Sequence, residues 1–335
     1  MSILRADSSG PGRFSGAAPS PGSARSSASG RQGSRSERPV WEEPPTLVGQ
    51  TAKGTTLGVV MAVILVPIYS IVLTSFSTQH AVNVAGGLVL VPHGLTLNAY
   101  REIISGGVVS RALVVSLTIT AIGTLLSMVV TVLAAYGLSR QGSFGHRFLL
   151  MIMIITMFFS GGLIPSFLVV SWLGGYDQYW ALIVPSAISV FNILVMRSFF
   201  SSTAPELIDS ARIDGAGEWR ILWSIVLPTS RAVTAVISLF YAVGYWNSFF
   251  NVLLYMPADS EKWPLQMVLY NYVTQGFTMA GTGTTGVGNY LGHQQVAPLS
   301  LQMAVVVLTL VPIMLVYPFV QKHFTKGMLL GAVKG

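Results

Sequence analysis

The chain has 335 residues, 52% of them hydrophobic and 9% charged, with a mean hydropathy of +0.63 and a net charge of +7. That balance excludes an ordinary soluble globular domain and describes a polytopic membrane protein. Cysteine is absent, which excludes disulfides, thiolate metal sites and cysteine nucleophiles without locating the compartment.

From Met1 to about residue 55 the chain is rich in Ser, Gly, Pro and Arg and poor in bulky apolar side chains. Such a segment cannot bury enough surface to offset its ordering entropy, so a disordered basic cytoplasmic tail is expected. It has no continuous apolar run of the signal-peptide kind. Its six arginines (Arg5, Arg13, Arg25, Arg31, Arg35 and Arg38) either graze anionic lipid or remain solvated.

Six apolar stretches follow, at about residues 56–76, 112–133, 148–170, 180–196, 232–255 and 300–320. Most approach the roughly 20 residues a helix needs to cross a bilayer. The fourth is short and contains Pro185. Pro67 and Pro312 also lie within spans, where neighbouring helices can satisfy the freed carbonyls. The expectation is an all-α membrane domain of six transmembrane helices over 56–320, with a short tail over 321–335.

Lys and Arg near the span ends set the orientation. With the N-terminus inside, the inner segments carry Lys53, Arg140, Arg147, Arg197, Arg212, Arg220, Arg231, Lys322, Lys326 and Lys334. The outer loops carry only Arg101, Arg111 and Lys262. Both termini and the loop at 203–228 are therefore predicted on the cytoplasmic face.

That loop is the longest polar interruption between apolar helices in the C-terminal half. It holds Glu206, Asp209, Asp214 and Glu218 with Arg212 and Arg220. Thr203 and Glu206 have capping-box spacing, and Pro205 falls in a first turn, where its missing N–H costs nothing. A short helix to about Ile213 is predicted, closed by a left-handed cap at Gly215. A β-branched residue there would crowd the turn. A second short helix, from about Glu218 to Ile225, runs up to Leu227 and Pro228.

Asp209-Ser210-Ala211, Gly215, Ile225, Leu227 and Pro228 resemble, in residue type and spacing, the EAA loop of ABC importer permeases. Asp209 stands where that family usually has Glu, and Ser210 where it usually has Ala. The resemblance implies a coupling helix that docks in a cleft of a cytoplasmic ATPase subunit. Glu206 joins those residues in the implied docking segment.

Other segments are similar to carbohydrate permeases of the maltose and LplC-like type. They are Leu97-Asn98-Ala99-Tyr100, the run from Phe158 to Pro165 (FFSGGLIP), the run from Tyr245 to Phe250 (YWNSFF), and the glycine-punctuated end from Lys326 to Gly335. Together these matches cover about 56–335. They imply a type I ABC importer permease of MetI-like fold that is not itself an enzyme. Its implied partners are a second homologous permease, a cytoplasmic ATPase dimer and an extracytoplasmic solute-binding protein. No cofactor would be bound by this subunit; ATP and Mg would belong to the ATPase.

A sugar offers a polar rim and C–H-rich faces, so its path needs hydrogen-bonding groups and flat apolar surfaces. Tyr241, Tyr245, Asn247 and Asn251 supply such groups on the fifth span, with Trp246 as a face and Asn192 on the fourth span. Asn247 and Asn251 would share one helical face. Each Asn could equally serve as an interhelical hydrogen bond, and Trp246 as plain packing. Ser160-Gly161-Gly162 reads as a kink or close-packing site, and Arg197 as a membrane-end anchor.

Soluble-enzyme motifs fail. Gly281 to Gly286 matches GxGxxG but follows no strand and falls in a predicted outer loop. No P-loop, paired histidine motif or GxSxG elbow occurs, and no acids pair within a span. A secondary transporter and a membrane enzyme are therefore disfavoured. An ABC permease for a non-sugar solute remains the main alternative.

Overall fold

In the computed structural model, residues 46–332 are described, apart from 141, 143–144, 160, 203–204 and 275–297. Side chains are described to residue 318. The described chain is helical, with one isolated antiparallel bridge between Ser77 and Leu95. Packing divides the chain after Gly58. The described part of the first unit is the beginning of α1 (Leu47–Ser75), and all sites below lie in the second unit.

Among the described residues three helices are long and apolar enough to cross a membrane, α1, α4 (Val108–Ser139) and the 299–318 part of α15 (Pro298–Ala332), and up to five spans are counted if two bent helix pairs are each one span. The expected first and sixth spans are longer than the apolar runs suggested. α1 starts at Leu47 rather than 56, and α15 continues past 320 to Ala332. Once a helix is nucleated, extending it costs little, so a hydropathy boundary is not a helix boundary.

The stretches expected as the third to fifth spans are broken into pieces. α5 (His146–Phe158) and α6 (Leu163–Trp172) meet at 114°. Gly162, at φ 83°, opens α6, and a Cβ on Gly161 would meet nothing within 4 Å. That stretch is thus a bend, not a close-packing site; Ser160 lies outside the described residues. The fourth span splits around Pro185 into α7 (Trp180–Ile183) and α8 (Val190–Ser202). The fifth splits at Asn247 into α12 (Arg231–Trp246) and α13 (Phe250–Tyr255).

Burial is sorted as lipid solvent demands. Val114, Leu117, Ile122, Leu125 and Val129 of α4 are exposed, while Ser116, Gly123, Ser127, Thr131 and Ala135 are buried. Without a hydrophobic drive between helices in lipid, small and hydroxylic residues let backbones approach and bond. α4 packs on α12 and α8 by this face.

α2 (Gln79–Ala85) follows α1, and two further short helices, α3 (Asn98–Ser105) and α14 (Leu265–Thr274), join α4, Trp246 and α15 in a second cluster. The Leu97–Tyr100 segment seats α3: the Tyr100 hydroxyl lies 2.8 Å from Ser75 Oγ, and its ring rests 4.9 Å from that of Phe76. The Leu265 N–H donates to Ser116 Oγ at 2.7 Å, which fixes the start of α14 on α4.

Candidate functional site: the 205–229 loop and the α4–α12 seam

α9 (Pro205–Ile213) begins at the proline, as its sequence requires. Thr203, its expected cap, lies outside the described residues. α9 ends in two hydrogen bonds, Gly215 N–H to the Arg212 carbonyl at 3.0 Å and Ala216 N–H to the Ala211 carbonyl at 2.9 Å. Gly215 has φ 77°. This is the Schellman arrangement, and Ala211 and Ala216 pack together against the main core. A Cβ on Gly215 would meet nothing within 4 Å, so a single methyl has room and its cost is one of backbone conformation.

The two faces of α9 differ. Ile208 is buried, whereas Leu207 and Ile213 are exposed, Ile213 to 88%. Glu206, Asp209 and Ser210 are exposed as well. Asp209 is 3.8 Å from Arg212, and Ser210 donates to the Leu207 carbonyl at 3.1 Å. Beyond the turn, α10 (Glu218–Ile221) runs into a π turn over Leu222–Val226 and then α11 (Leu227–Thr229), which contains Pro228. Ile225 and Leu227 are half-buried, Ile225 facing α9 across a recess and Leu227 packed on the main core. The recess, of about 360 Å³, is lined by Leu207, Ser210, Ala211, Asp214, Ser224, Ile225 and Thr229.

Glu218 fastens this loop to α4. Its carboxylate accepts from the Tyr136 hydroxyl, from Arg212 at 2.9 Å and from Arg140 at 3.4 Å. Arg140 also donates to the Tyr136 hydroxyl at 2.8 Å and lies over its ring. The Tyr136 hydrogen bond, with the two arginines, holds the Glu218 carboxyl below its usual range. A depressed carboxyl contributes stability above its unfolded value, about pH 4.5, and loses it as pH falls through the folded value. The group is half exposed, so Tyr136→Phe or Glu218→Gln should cost no more than about 1 kcal/mol. Faster amide exchange over 218–221 at neutral pH checks this, and the difference from wild type should vanish in acid.

The Tyr136–Arg140 pair was missed in the sequence. Its i,i+4 spacing at an inner span end was visible, but not its meeting with Glu218. Arg197 acts as more than an anchor: its Nε donates to the Leu138 carbonyl at 2.7 Å, completing the end of α4.

The six path candidates separate into two groups. Tyr241 and Tyr245 are buried in the seam between α12 and α4. The Tyr241 hydroxyl pairs with Thr131 at 2.7 Å and accepts from the Ser189 N–H at 3.3 Å. The Tyr245 hydroxyl pairs with Ser127 at 2.9 Å and donates to the Ile183 carbonyl at 3.1 Å. Both tyrosines thereby serve backbone groups on either side of the Pro185 break. Trp246 is buried and donates to the Thr309 carbonyl at 3.2 Å. In this conformation these three side chains face helices, not an open path.

Asn247 and Asn251 do not share one helical face, because α12 ends between them. Asn247 is exposed, donating to the Val243 carbonyl at 2.9 Å and accepting from Gln266 at 3.4 Å. Asn251 donates to Ser186 Oγ at 3.4 Å. Asn192 is buried on α8, and its N–H meets Ser189 Oγ at 3.4 Å. Among the described residues no group of three or more metal-ligating side chains is found.

Residues 123–330 match the family described as the binding-protein-dependent transport system inner membrane component. The chain belongs to that family. It is accordingly a multi-pass membrane transport component and not an enzyme.

The chain is 43% identical to the polygalacturonan/rhamnogalacturonan transport system permease protein YtcP of Bacillus subtilis, over 81% of this chain and 93% of the relative. It is also 43% identical to Protein LplC of Bacillus subtilis, over 83% and 92%. Among solved structures it resembles a chain of a bacterial ABC transporter involved in the import of the acidic polysaccharide alginate. That likeness has a TM-score of 0.77 and 28% identity, covering 84% of this chain and all of the other. The permease fold expected from the sequence is thus the fold observed.

Proposed function

We propose that this chain is a translocating subunit of an ATP-driven importer for carbohydrate, most simply an oligosaccharide, working by alternating access. The observation that carries the coupling role is α9. It is a short helix that exposes Leu207 and Ile213 among polar side chains, is stopped by a glycine turn, and belongs to a loop that Ala211, Ala216 and Glu218 fasten to the transmembrane helices. Such an element can pass the motion of a docked subunit into α4 and α12.

The docking residues are Glu206, Asp209, Ser210, Ala211, Gly215, Ile225, Leu227 and Pro228. They divide the work: the exposed ones meet the ATPase, while Ala211, Ile225 and Leu227 seat the helix. ATP and Mg are held by that ATPase dimer. A second permease completes the path, and a solute-binding protein delivers the cargo outside. Carbohydrate as cargo is supported by the relatives, whose names specify polygalacturonan/rhamnogalacturonan and alginate transport. Asn247, Asn251 and Asn192 are the amides proposed to meet it, with Tyr241, Tyr245 and Trp246 holding the helices that present them.

Both termini and the 203–228 loop lie in the cytoplasm on this reading, supported by the excess of Lys and Arg on that side. Glu218→Cys should resist an impermeant thiol reagent added to intact cells, and labelling from outside would overturn the orientation. The cargo is tested by uptake into proteoliposomes holding the complete importer and its binding protein. Neutral and uronic-acid oligosaccharides should compete with each other for entry, and amino acids and peptides should not. Uptake of a peptide with no competition from any sugar would replace carbohydrate by the non-sugar alternative.

A further inference from the structure

Trp219 and Trp223 take no part in the arrangement described above. Each is 66% exposed. The stretch that carries them, Glu218–Thr229, meets α12 at 86°. With α12 crossing the bilayer, this stretch lies along the membrane plane.

Its opposite side is closed, since Ile221, Leu222 and Val226 are fully buried in the main core. The π turn makes this sorting possible. In an unbroken α-helix Val226, seven residues after Trp219, would emerge on the tryptophan side. The wider turn, closed by the Leu227 N–H on the Leu222 carbonyl, swings Val226 back into the core and leaves Trp223 beside Trp219.

Charge completes the pattern. Arg220, next to Trp219, and Arg231, at the bend itself, are both exposed. The neighbouring acid, Glu218, is already engaged by Arg140 and Arg212. An indole has a broad apolar body and one N–H donor, which suits the boundary between acyl chains and headgroups. Guanidinium groups suit lipid phosphate.

We propose that Trp219 and Trp223, together with Arg220 and Arg231, form an interfacial foot that inserts into the headgroup region of an anionic bilayer. The foot fixes the depth of the loop. Motion delivered to α9 then moves α4 and α12 instead of rocking the loop against the membrane. This holds whatever solute is carried.

The test uses the complete importer in vesicles of mixed phosphatidylglycerol and phosphatidylcholine. The emission difference between wild type and Trp219→Phe/Trp223→Phe isolates these two indoles from the other five tryptophans. Each single Trp→Phe variant, read alone, serves if the pair impairs assembly. The difference emission should be quenched more by lipids brominated near the glycerol than by lipids brominated at the chain end. It should resist aqueous iodide, and iodide access should rise when phosphatidylglycerol is left out. Brominated lipid in both leaflets makes the readout independent of orientation. Quenching by iodide with none by brominated lipid would overturn the proposal. So would protection from iodide that appears only with the ATPase subunits bound, which would assign the pair to that interface.

Discussion

Gly215→Val should enter the membrane normally and lose the ATPase. The position has φ 77° and open space around its missing Cβ, so even a methyl there carries a cost set by the backbone. That cost is about 1–2 kcal/mol, enough to weaken docking roughly tenfold if the turn relaxes and α9 re-aims. Gly215→Ala should already weaken docking through the backbone alone, and Gly215→Val should be worse, since a β-branched side chain is least tolerated at positive φ. Gly215→Asn should be milder, since Asn tolerates the left-handed region. Asp209→Ala removes only an exposed 3.8 Å pair and should cost less than about 1 kcal/mol. Co-purification of the ATPase with each variant gives the order. A reversed order, with Asp209→Ala failing and Gly215→Val binding, would mean that the loop works by charge instead of shape.

Gly123→Ala should lower the melting temperature of the subunit, while Gly137→Ala on the same helix should not. A Cβ on Gly123 would lie 2.8 Å from three carbons of the Tyr245 ring, but one on Gly137 would meet nothing within 4 Å. Overpacking of this kind costs about 1–3 kcal/mol, whereas replacing an unconstrained helical Gly gains up to about 1 kcal/mol. Tyr245→Phe keeps the ring and so should not rescue Gly123→Ala. It should add its own loss of about 1–3 kcal/mol, because the buried Ile183 carbonyl would lose its donor. Thermal unfolding in detergent measures all four variants. Equal effects at Gly123 and Gly137 would show that the ring can move aside.

The parts legible in the sequence were those written in local chemistry. Gly215, three residues past Arg212, announced its cap. Pro205 announced the start of α9, and continuous apolar runs announced α1, α4 and α15. The broken spans were less legible, because hydropathy averages over a bend and cannot tell 148–170 as one helix from α5 and α6 at 114°. Asn247 shows the same limit. Its pairing with Asn251 assumed an unbroken helix, but the helix stops at Trp246 and restarts at Phe250. The tyrosines were legible as hydroxyl groups on an apolar span, which made them path candidates. Their partners, Ser127, Thr131, Ile183 and Ser189, lie 50 to 120 positions away and carry no local signal. Glu218 is legible as a charge in a loop, yet its place against Tyr136 and Arg140 depends on how the ends of α4 and α10 meet.

The central claim is that the exposed face of α9 is the docking surface for the ATPase. Ile213, with 88% of its surface exposed, is the position that reports on it most directly. A photo-crosslinking amino acid placed there, in the fully assembled importer, should form an adduct with the ATPase subunit. A control at Leu125, on the lipid-facing side of α4, should form none. An adduct at Ile213 with the solute-binding protein, or none with the ATPase while transport proceeds normally, would contradict the account.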